Sequence, residues 1–128
     1  MAKHILVVDD AATVRMYHRT VLEGQGWVVD EAVNGLEALE KAQGETAFDL
    51  YLVDVNMPKL DGYGLLQQLR ALPLAQAQAP AIMVSTEAQS GDRLRGLESG
   101  ASLYVVKPIR PDDLVAYCRR LLGEESAR

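Results

Sequence analysis

Four short apolar runs constrain the fold of this chain more than any other feature, because each one stops at a polar residue. The run "HILVVDD" ends on two acids, and "LYLVDVNMP" meets an acid at Asp54. The run "AIMVST" ends on two hydroxyls, and "LYVVKP" reaches a lysine. Short, continuous runs rich in Val, Ile and Leu are typical of strands covered on both faces, as in a parallel sheet. We therefore predict a buried parallel sheet whose strand ends carry chemically active groups.

Segments with helical periodicity lie between the apolar runs. The predicted strands are Ile5–Val8, Val28–Ala32, Leu50–Val53, Ala81–Val84 and Tyr104–Val106. The predicted helices are Thr13–Glu23, Asn34–Ala42, Gly62–Leu72, Gly91–Gly100 and Pro111–Leu122. The second strand alternates in polarity, which predicts an edge strand. Regular alternation of strand and helix predicts an α/β fold, a doubly wound (βα)5 arrangement with a five-stranded parallel sheet of order 2-1-3-4-5.

The helical patterns also predict which positions are buried. These positions are Val14, Tyr17, Val21 and Leu22 in the first helix, Leu36 and Leu39 in the second, Leu65, Leu66, Leu69 and Leu72 in the third, and Leu114, Cys118, Leu121 and Leu122 in the fifth. The fourth helix has a weaker pattern, and its internal Gly96 costs about 1 kcal/mol of helix stability relative to Ala. The segment from Pro73 to Pro80 is predicted to be a loop, because Pro73 ends the third helix.

Composition excludes several classes of protein. The chain has 128 residues and a formal net charge of −5, which indicates one domain and disfavours a nucleic-acid-binding module with its basic face. Its one cysteine, Cys118, cannot form an internal disulfide. No apolar run approaches the roughly 20 residues that a membrane span requires, and the N-terminus lacks a signal-peptide pattern. We expect no membrane insertion, no nucleic-acid partner and a cytoplasmic location.

Acidic residues follow two strands that the predicted topology makes neighbours. Sites in open α/β sheets form beyond the carboxyl ends of the strands, where the strand order reverses, here between strands 1 and 3. Asp9, Asp10 and Asp54 should therefore converge. Three carboxylates at short range repel one another and raise one another's pKa values. A hard divalent cation such as Mg²⁺ would relieve that repulsion, and it is the cofactor we expect.

Strands 4 and 5 border the same crevice. Their ends supply a hydroxyl, from Ser85 or Thr86, and the ammonium group of Lys107. A metal, a hydroxyl and an ammonium group are what a protein collects around a phosphoryl group. A carboxylate between them can act as nucleophile and form an aspartyl phosphate, and Asp54 on the central strand is the candidate.

Each of these residues alone also has an ordinary structural explanation. Asp9 or Asp10 could cap the first helix, Lys107 could be a solvated loop lysine, Ser85 could be a satisfied loop hydroxyl and Tyr104 could be a core aromatic. The joint placement of suitable groups at four strand ends favours metal and phosphoryl chemistry over these separate explanations.

The motifs "LVVDD", "LVDVNMPKLDG", "IMVST" and "YVVKP" resemble the receiver domains of two-component response regulators, and the resemblance covers nearly the whole chain. It implies a flavodoxin-like, CheY-like fold, a receiver domain over residues 1–124, a short C-terminal tail over 125–128 and no output domain. The terminal segment "GEESAR" is predicted to fray, as chain ends commonly do. Output would then be protein–protein contact, and the chain would be a signalling switch that catalyses only its own phosphorylation and dephosphorylation.

The resemblance also assigns the metal and acceptor residues. Asp54 resembles the phosphoacceptor, which receives a phosphoryl group from a histidine kinase. Asp10 resembles a direct Mg²⁺ ligand, and Asp9 resembles its companion, which acts partly through water. Asn56 matches the position whose backbone carbonyl also binds the metal.

Further roles concern the phosphoryl group and the switch. Ser85 matches the hydroxyl that hydrogen-bonds a phosphoryl oxygen, although it lacks the usual threonine methyl. Lys107 matches the lysine that pairs with the phosphoryl group, and its peptide bond to Pro108 is expected to be cis. Tyr104 matches the aromatic switch residue, which turns inward when the hydroxyl moves. Ile109 replaces the more common Phe, which changes the start of the face formed by helix 4, strand 5 and helix 5, where partners usually dock.

Within the family, the segment "DDAATVR", with Thr13 and Arg15, resembles the chemotaxis regulators of CheY type. Asn56 and Glu87 are the same residue types as in those regulators and border the path of the hydrolytic water. The resemblance implies rapid intrinsic hydrolysis and a flagellar motor switch protein or other protein as target.

Three alternatives remain open at this point. A single-domain receiver could serve a cell-cycle relay or act as a phosphate sink. A Mg²⁺-dependent phosphatase with an aspartyl nucleophile would usually place two acids two residues apart after the first strand, whereas here they are adjacent. A flavin mononucleotide domain of flavodoxin type would need a hydroxyl- and glycine-rich loop where this chain has "DDAATVR".

Overall fold

The computed structural model describes residues 2–87 and 89–124, which form one five-stranded parallel sheet of order β2-β1-β3-β4-β5. The strands are β1 His4–Val8, β2 Val28–Ala32, β3 Leu50–Asp54, β4 Ala81–Ser85 and β5 Leu103–Val106. The helices are α1 Ala12–Glu23, α2 Gly35–Ala42, α3 Gly62–Arg70, α4 Ser90–Ser99 and α5 Pro111–Leu122, with a short 3-10 helix at Ala75–Gln78. The predicted fold class and strand order are confirmed.

Two apolar layers cover the two faces of the sheet. Successive side chains of a strand point to opposite faces, so a strand covered on both sides must be apolar throughout. Ile5 and Val7 pack with residues of α1 and α5, while Leu6 and Val8 pack with residues of α2 and α3. All positions of β3 are buried, including its last residue, Asp54. The Asp54 carboxylate is therefore buried because it belongs to a strand that is covered on both faces.

The buried face of α1 differs from the predicted one. His18 and Leu22 are the buried residues of this helix, whereas Tyr17 is 39% exposed. The Tyr17 hydroxyl donates a hydrogen bond at 3.0 Å to the backbone carbonyl of Ile109, which lies just before α5. Burial lowers the pKa of His18, with Asp9 and Lys107 acting on it in opposite directions. A histidine that remains neutral can occupy an apolar layer, and periodicity alone did not identify it.

The second helix also departs from its predicted face. It buries Ala38 and Ala42, while Leu39 is partly buried and Leu36 is 53% exposed. The small alanine side chains bring this short helix against the sheet, which leaves Leu36 at the margin of the contact. Asn34 is its N-cap residue rather than its first residue, because the Asn34 side chain accepts a hydrogen bond from the Glu37 N–H.

The predicted loop from Pro73 to Pro80 contains the 3-10 helix, and α3 ends at Arg70 rather than Leu72. Backbone carbonyls of this loop and of Gly100 converge on the Arg70 side chain. Its guanidinium donates to Ala77 O at 2.7 Å, Ala79 O at 2.6 Å and Gly100 O at 2.8 Å. These tertiary hydrogen bonds organise a segment whose composition predicted no structure.

Within residues 2–87 and 89–124, no helix combines the length and apolar character that crossing a bilayer requires. The predicted tail over 125–128 lies outside the described residues.

Candidate functional site

Three carboxylates meet at the carboxyl edge of the sheet. Strands β1 and β3 are neighbours, with Val8 paired to Val53, so Asp9 and Asp54 follow at the same level. Carboxylate oxygens of Asp9, Asp10 and Asp54 lie within 4.8 Å of one another. Asp9 and Asp54 are buried, whereas Asp10 is exposed. The sequence prediction that these three acids converge agrees with this geometry.

The ammonium group of Lys107 lies between the two buried acids. Its Nζ donates to Asp54 Oδ1 at 2.9 Å and to Asp9 Oδ2 at 3.2 Å. The Lys107 backbone N–H donates to Ser85 O at 2.7 Å, which ties the end of β5 to the end of β4. The peptide bond between Lys107 and Pro108 is cis. Lys107 is therefore a member of the site and not a solvated loop lysine.

Burial and charge act in opposite directions on these groups. Burial raises the pKa of Asp54, Asp9 and Asp10 raise it further, and the hydrogen bond from Lys107 opposes the increase. For Lys107, burial works against the charged form, but its hydrogen bond with Asp54 and the nearby carboxylates outweigh burial and raise the pKa. Lys107 consequently keeps its proton. One ammonium group faces three acids, so the cluster has an excess of negative charge.

The donor set fits a hard divalent cation. Mg²⁺ prefers carboxylate and carbonyl oxygens and keeps several water ligands. Asp9, Asp10 and Asp54 supply oxygen donors, and the exposed position of Asp10 gives water access. Asn56 is exposed and lies two residues after Asp54, in the loop that follows β3. These residues could hold such an ion, and their excess negative charge would favour it.

Of the two adjacent hydroxyl candidates, Ser85 is the buried one. It is the last residue of β4 and has no exposed surface, whereas Thr86 is exposed. The register pairs Asp54 with Val84, so the Ser85 position follows directly beyond Asp54 on the neighbouring strand. Ser85 Oγ accepts a hydrogen bond from the Glu87 N–H at 3.0 Å. The structure therefore brings Ser85, and not Thr86, to the buried end of the strand.

Glu87 connects the hydroxyl to the buried tyrosine through its backbone. Its N–H donates to Ser85 Oγ, and its carbonyl accepts from the Tyr104 hydroxyl at 2.9 Å. The Tyr104 ring is 3% exposed and packs in the core. The Glu87 side chain is exposed, as is that of Asn56. A displacement of the loop after β4 would therefore change the surroundings of both Ser85 and Tyr104.

Sequence reasoning missed the part that Gly62 plays at the site. A Cβ placed on Gly62 would lie 2.6 Å from the Asp54 carbonyl oxygen and 2.9 Å from Val55 Cα. The Gly62 N–H donates to Val55 O at 2.8 Å, and the Asp61 side chain caps the helix by accepting from the Gly64 N–H. Only a glycine lets α3 begin this close to the Asp54 backbone. The sequence signal was an N-cap aspartate followed by glycine in "LDG".

The loop before α3 also contains a strained turn. Lys59 has a φ of 71°, and the Leu60 N–H donates to Pro58 O at 2.8 Å. A three-residue turn with a positive φ at its centre is a rare, strained γ-turn. It folds the chain back from Asp54 within a few residues and sets where Asp61 and Gly62 begin the helix.

Comparison with known proteins places this geometry in a family. The sequence model of the response regulator receiver domain matches residues 5–119. The "Probable transcriptional regulator ycf27" of Cyanophora paradoxa is 45% identical over 120 residues, which are 94% of this chain and 48% of that protein. The chain spans about half the length of the curated relatives it matches, among them the transcriptional regulatory protein ResD of Bacillus subtilis, of which 49% is covered.

Solved structures resemble the whole domain. The chemotaxis protein CheY4 of Vibrio cholerae is 32% identical with a TM-score of 0.87, and the match covers 94% of this chain and 99% of that one. The receiver domain of a sensor histidine kinase from Pseudomonas aeruginosa is 28% identical with a TM-score of 0.86, covering 96% of this chain and 99% of that one, and it was solved with a magnesium ion coordinated in its active site cleft. With this fold, the acid cluster and a family match across most of its length, the chain belongs to the response regulator receiver domain family.

Proposed function

We propose that this receiver domain is a phosphorylation switch in which Asp54 accepts a phosphoryl group from a histidine kinase in a Mg²⁺-dependent reaction. The observation that carries the proposal is the joint placement of the buried Asp54, its two acidic neighbours and the Lys107 ammonium group. A buried carboxylate that is hydrogen-bonded to a fixed cation is a positioned nucleophile for phosphoryl transfer.

Each group has a part in the transfer. A carboxylate oxygen of Asp54 attacks phosphorus, and the bond from phosphorus to the donor atom breaks. Lys107, which already reaches Asp54 Oδ1, stabilises the charge of the transferred phosphoryl oxygens, and Ser85 donates its hydroxyl proton to one of them. Bound Mg²⁺, held by Asp9, Asp10, Asp54 and the Asn56 carbonyl, would supply positive charge to the phosphoryl oxygens.

The same site would remove the phosphoryl group. Asn56 and Glu87 are exposed residues next to the acceptor and hydroxyl positions, where they can orient an attacking water. In this proposal the chain acts on no substrate other than its own aspartyl phosphate. We expect the modified form to decay within minutes.

Output follows from a shift between two conformations. The phosphoryl charge attracts Ser85 and Lys107, and the loop at Glu87 moves with Ser85. Tyr104 is already buried, so the movement changes its hydrogen bond to the Glu87 carbonyl and not its burial. The face formed by α4, β5 and α5 then binds its target with a different affinity. In the chemotactic form of the proposal, which the full-length similarity to CheY4 supports, the target is a flagellar motor switch protein in the cytoplasm.

A second candidate function is that of the receiver unit of a transcriptional regulator. It is favoured by relatives that are named as transcriptional regulators and of which the chain matches about half. In that case the switched face would contact a DNA-binding partner or domain. The receiver itself, with a net charge of −5, would not contact nucleic acid.

Intact mass spectrometry tests the shared chemistry. Wild type and Asp54→Asn would be incubated with a small acyl phosphate, with and without Mg²⁺. The expected result is one added phosphoryl group in the wild type only, and only with Mg²⁺. An equal gain in Asp54→Asn would mean that Asp54 is not the acceptor.

The lifetime of that product separates the two candidates. Decay within minutes, together with phosphorylation-dependent binding to a flagellar switch protein, supports the chemotactic form. Persistence for hours without such binding would contradict it and favour the transcriptional form.

A further inference from the structure

Arg15 makes two hydrogen bonds that link the acid cluster to the edge strand. Its Nη1 donates to the backbone carbonyl of Asp9 at 2.9 Å, and its Nε donates to Glu31 Oε1 in β2 at 2.7 Å. The Arg15 side chain is 15% exposed. A guanidinium is planar and its donors diverge in a fixed geometry, so the two contacts fix the position of the Asp9 carbonyl relative to the sheet.

The Asp9 carbonyl belongs to the peptide group that joins Asp9 to Asp10. The Asp9 N–H is already bonded to Ala32 O at 3.2 Å, and Asp9 Oδ1 accepts from the Ala11 N–H at 2.9 Å. Fixing the carbonyl as well fixes the plane of the peptide and the position of the Asp10 Cα, which limits the directions in which the Asp10 side chain can leave the backbone. Asp10 is exposed, so packing against other side chains does not set that direction.

The start of α1 adds little restraint of its own. Its N-cap residue, Ala11, makes no side-chain hydrogen bond to the helix. An uncapped helix start frays more readily than a capped one. Within the described residues, the turn between β1 and α1 is therefore held by the Asp9 side chain on one side and by Arg15 on the other.

The charge of Arg15 is balanced at the edge of the sheet. Glu31 also accepts from Arg19 Nη1 at 2.6 Å, and hydrogen bonds from Arg19 and Arg15 lower the pKa of Glu31. Glu31 is thus ionised at neutral pH. Arg15 acts on the acid cluster through geometry and not as a free counter-charge.

We propose that Arg15 is a positioning residue that orients the Asp9–Asp10 peptide so that the two carboxylates can bind Mg²⁺ together. The inference rests on the proposed function, in which these acids hold the ion. Groups that orient metal ligands typically change metal affinity by about 10- to 100-fold when they are removed.

The test is direct titration of Mg²⁺ by calorimetry, without phosphorylation, on wild type, Arg15→Gln, Arg15→Lys and Arg19→Gln. Arg19 is the matched control because it binds the same Glu31 but has no hydrogen bond to Asp9. We expect Arg15→Gln to raise the Mg²⁺ Kd about tenfold, and Arg15→Lys to raise it by a similar factor, because lysine lacks the fork that reaches both partners. Arg19→Gln should leave the Kd within about twofold of wild type, since it does not touch a ligand-bearing peptide.

Phosphorylation rates measured against Mg²⁺ concentration give a second readout. A positioning role shifts the Mg²⁺ concentration needed for half-maximal rate, while the rate at saturating Mg²⁺ recovers. Wild-type Mg²⁺ affinity in folded Arg15→Gln or Arg15→Lys would overturn the inference, as would an equal loss in Arg19→Gln. If the wild type itself bound no Mg²⁺, both the inference and the proposed function would be overturned, and this outcome is distinct from the first two.

Discussion

Helices α3 and α4 follow the strands that end at Asp54 and Ser85, but the domain holds them by different means. Helix α3 buries Leu65, Leu66 and Leu69 against the sheet. Helix α4 buries Gly96 and Ser99, while Leu94 is 57% exposed and Leu97 is 47% exposed. Apolar burial stabilises by roughly 25 cal/mol per Å², so α3 contributes far more to the core than α4 does.

The N-terminus of α3 is also better held than the N-terminus of α4. Asp61 caps α3, whereas Gln89 provides no side-chain cap for α4. Polar and aromatic contacts hold α4 instead, with Arg95 4.1 Å from the centre of the Tyr63 ring and Arg93 Nη1 donating to Tyr104 O. A segment with few buried apolar contacts can open or shift at low free-energy cost. The strand that ends at Asp54 is therefore followed by a firmly packed helix, and the strand that ends at Ser85 by a helix that can shift at lower cost.

Truncating one leucine in each helix should show the largest difference in stability between α3 and α4. Leu66→Ala removes a fully buried side chain of α3 and should lower the free energy of unfolding by about 2–5 kcal/mol. Its matched control, Leu94→Ala in α4, should change that free energy by less than about 0.5 kcal/mol. Urea denaturation followed by circular dichroism measures both. Similar losses for the two variants would refute the contrast between α3 and α4.

Gly62→Ala tests how closely α3 is fixed to the acceptor strand. The added Cβ would meet backbone atoms, 2.6 Å from Asp54 O and 2.9 Å from Val55 Cα, and backbone cannot rotate away. We expect a loss of about 1–3 kcal/mol in the free energy of unfolding. Slower phosphorylation of Asp54 should accompany it, since the helix start and the strand end must separate. A variant with wild-type stability and rate would show that α3 can retreat freely.

Gly96→Ala is the corresponding change in α4 and should have a smaller effect than Gly62→Ala. Its Cβ would lie 2.7 Å from Tyr104 Cδ2 and 3.1 Å from Met83 Sδ, which are side-chain atoms. Both neighbours are buried, so overpacking should cost about 1–3 kcal/mol. Alanine regains about 1 kcal/mol of helix propensity over glycine, so the net loss of stability should be about 0–2 kcal/mol. The effect should instead appear at Tyr104, as displaced ring resonances in NMR spectra. A loss of stability as large as that of Gly62→Ala would mean that α4 is as rigidly held as α3.

The arrangement of strands and helices could be predicted from the chain because it depends on local patterns. Continuous apolar runs require burial on both faces, alternating segments favour crossover helices, and the topology then places Asp9, Asp10 and Asp54 together. Faces of helices were less predictable. Leu36 and Tyr17 fit helical periodicity but are exposed to solvent. Helix α2 packs on the sheet through Ala38 instead, and helix α1 buries His18 instead.

The fold class, the strand order and the residue types gathered at the carboxyl edge of the sheet follow from the sequence alone, because polarity and spacing along each strand decide which groups become buried together. Which neighbour each group contacts depends on how the elements pack in three dimensions. Packing accounts for the following pairings. Packing buries Ser85 and not Thr86, places Lys107 between Asp9 and Asp54, requires glycine at position 62 and joins Arg15 to the Asp9 carbonyl. These choices depend on differences of a few tenths of an ångström in how packed segments meet, and no local pattern encodes such differences.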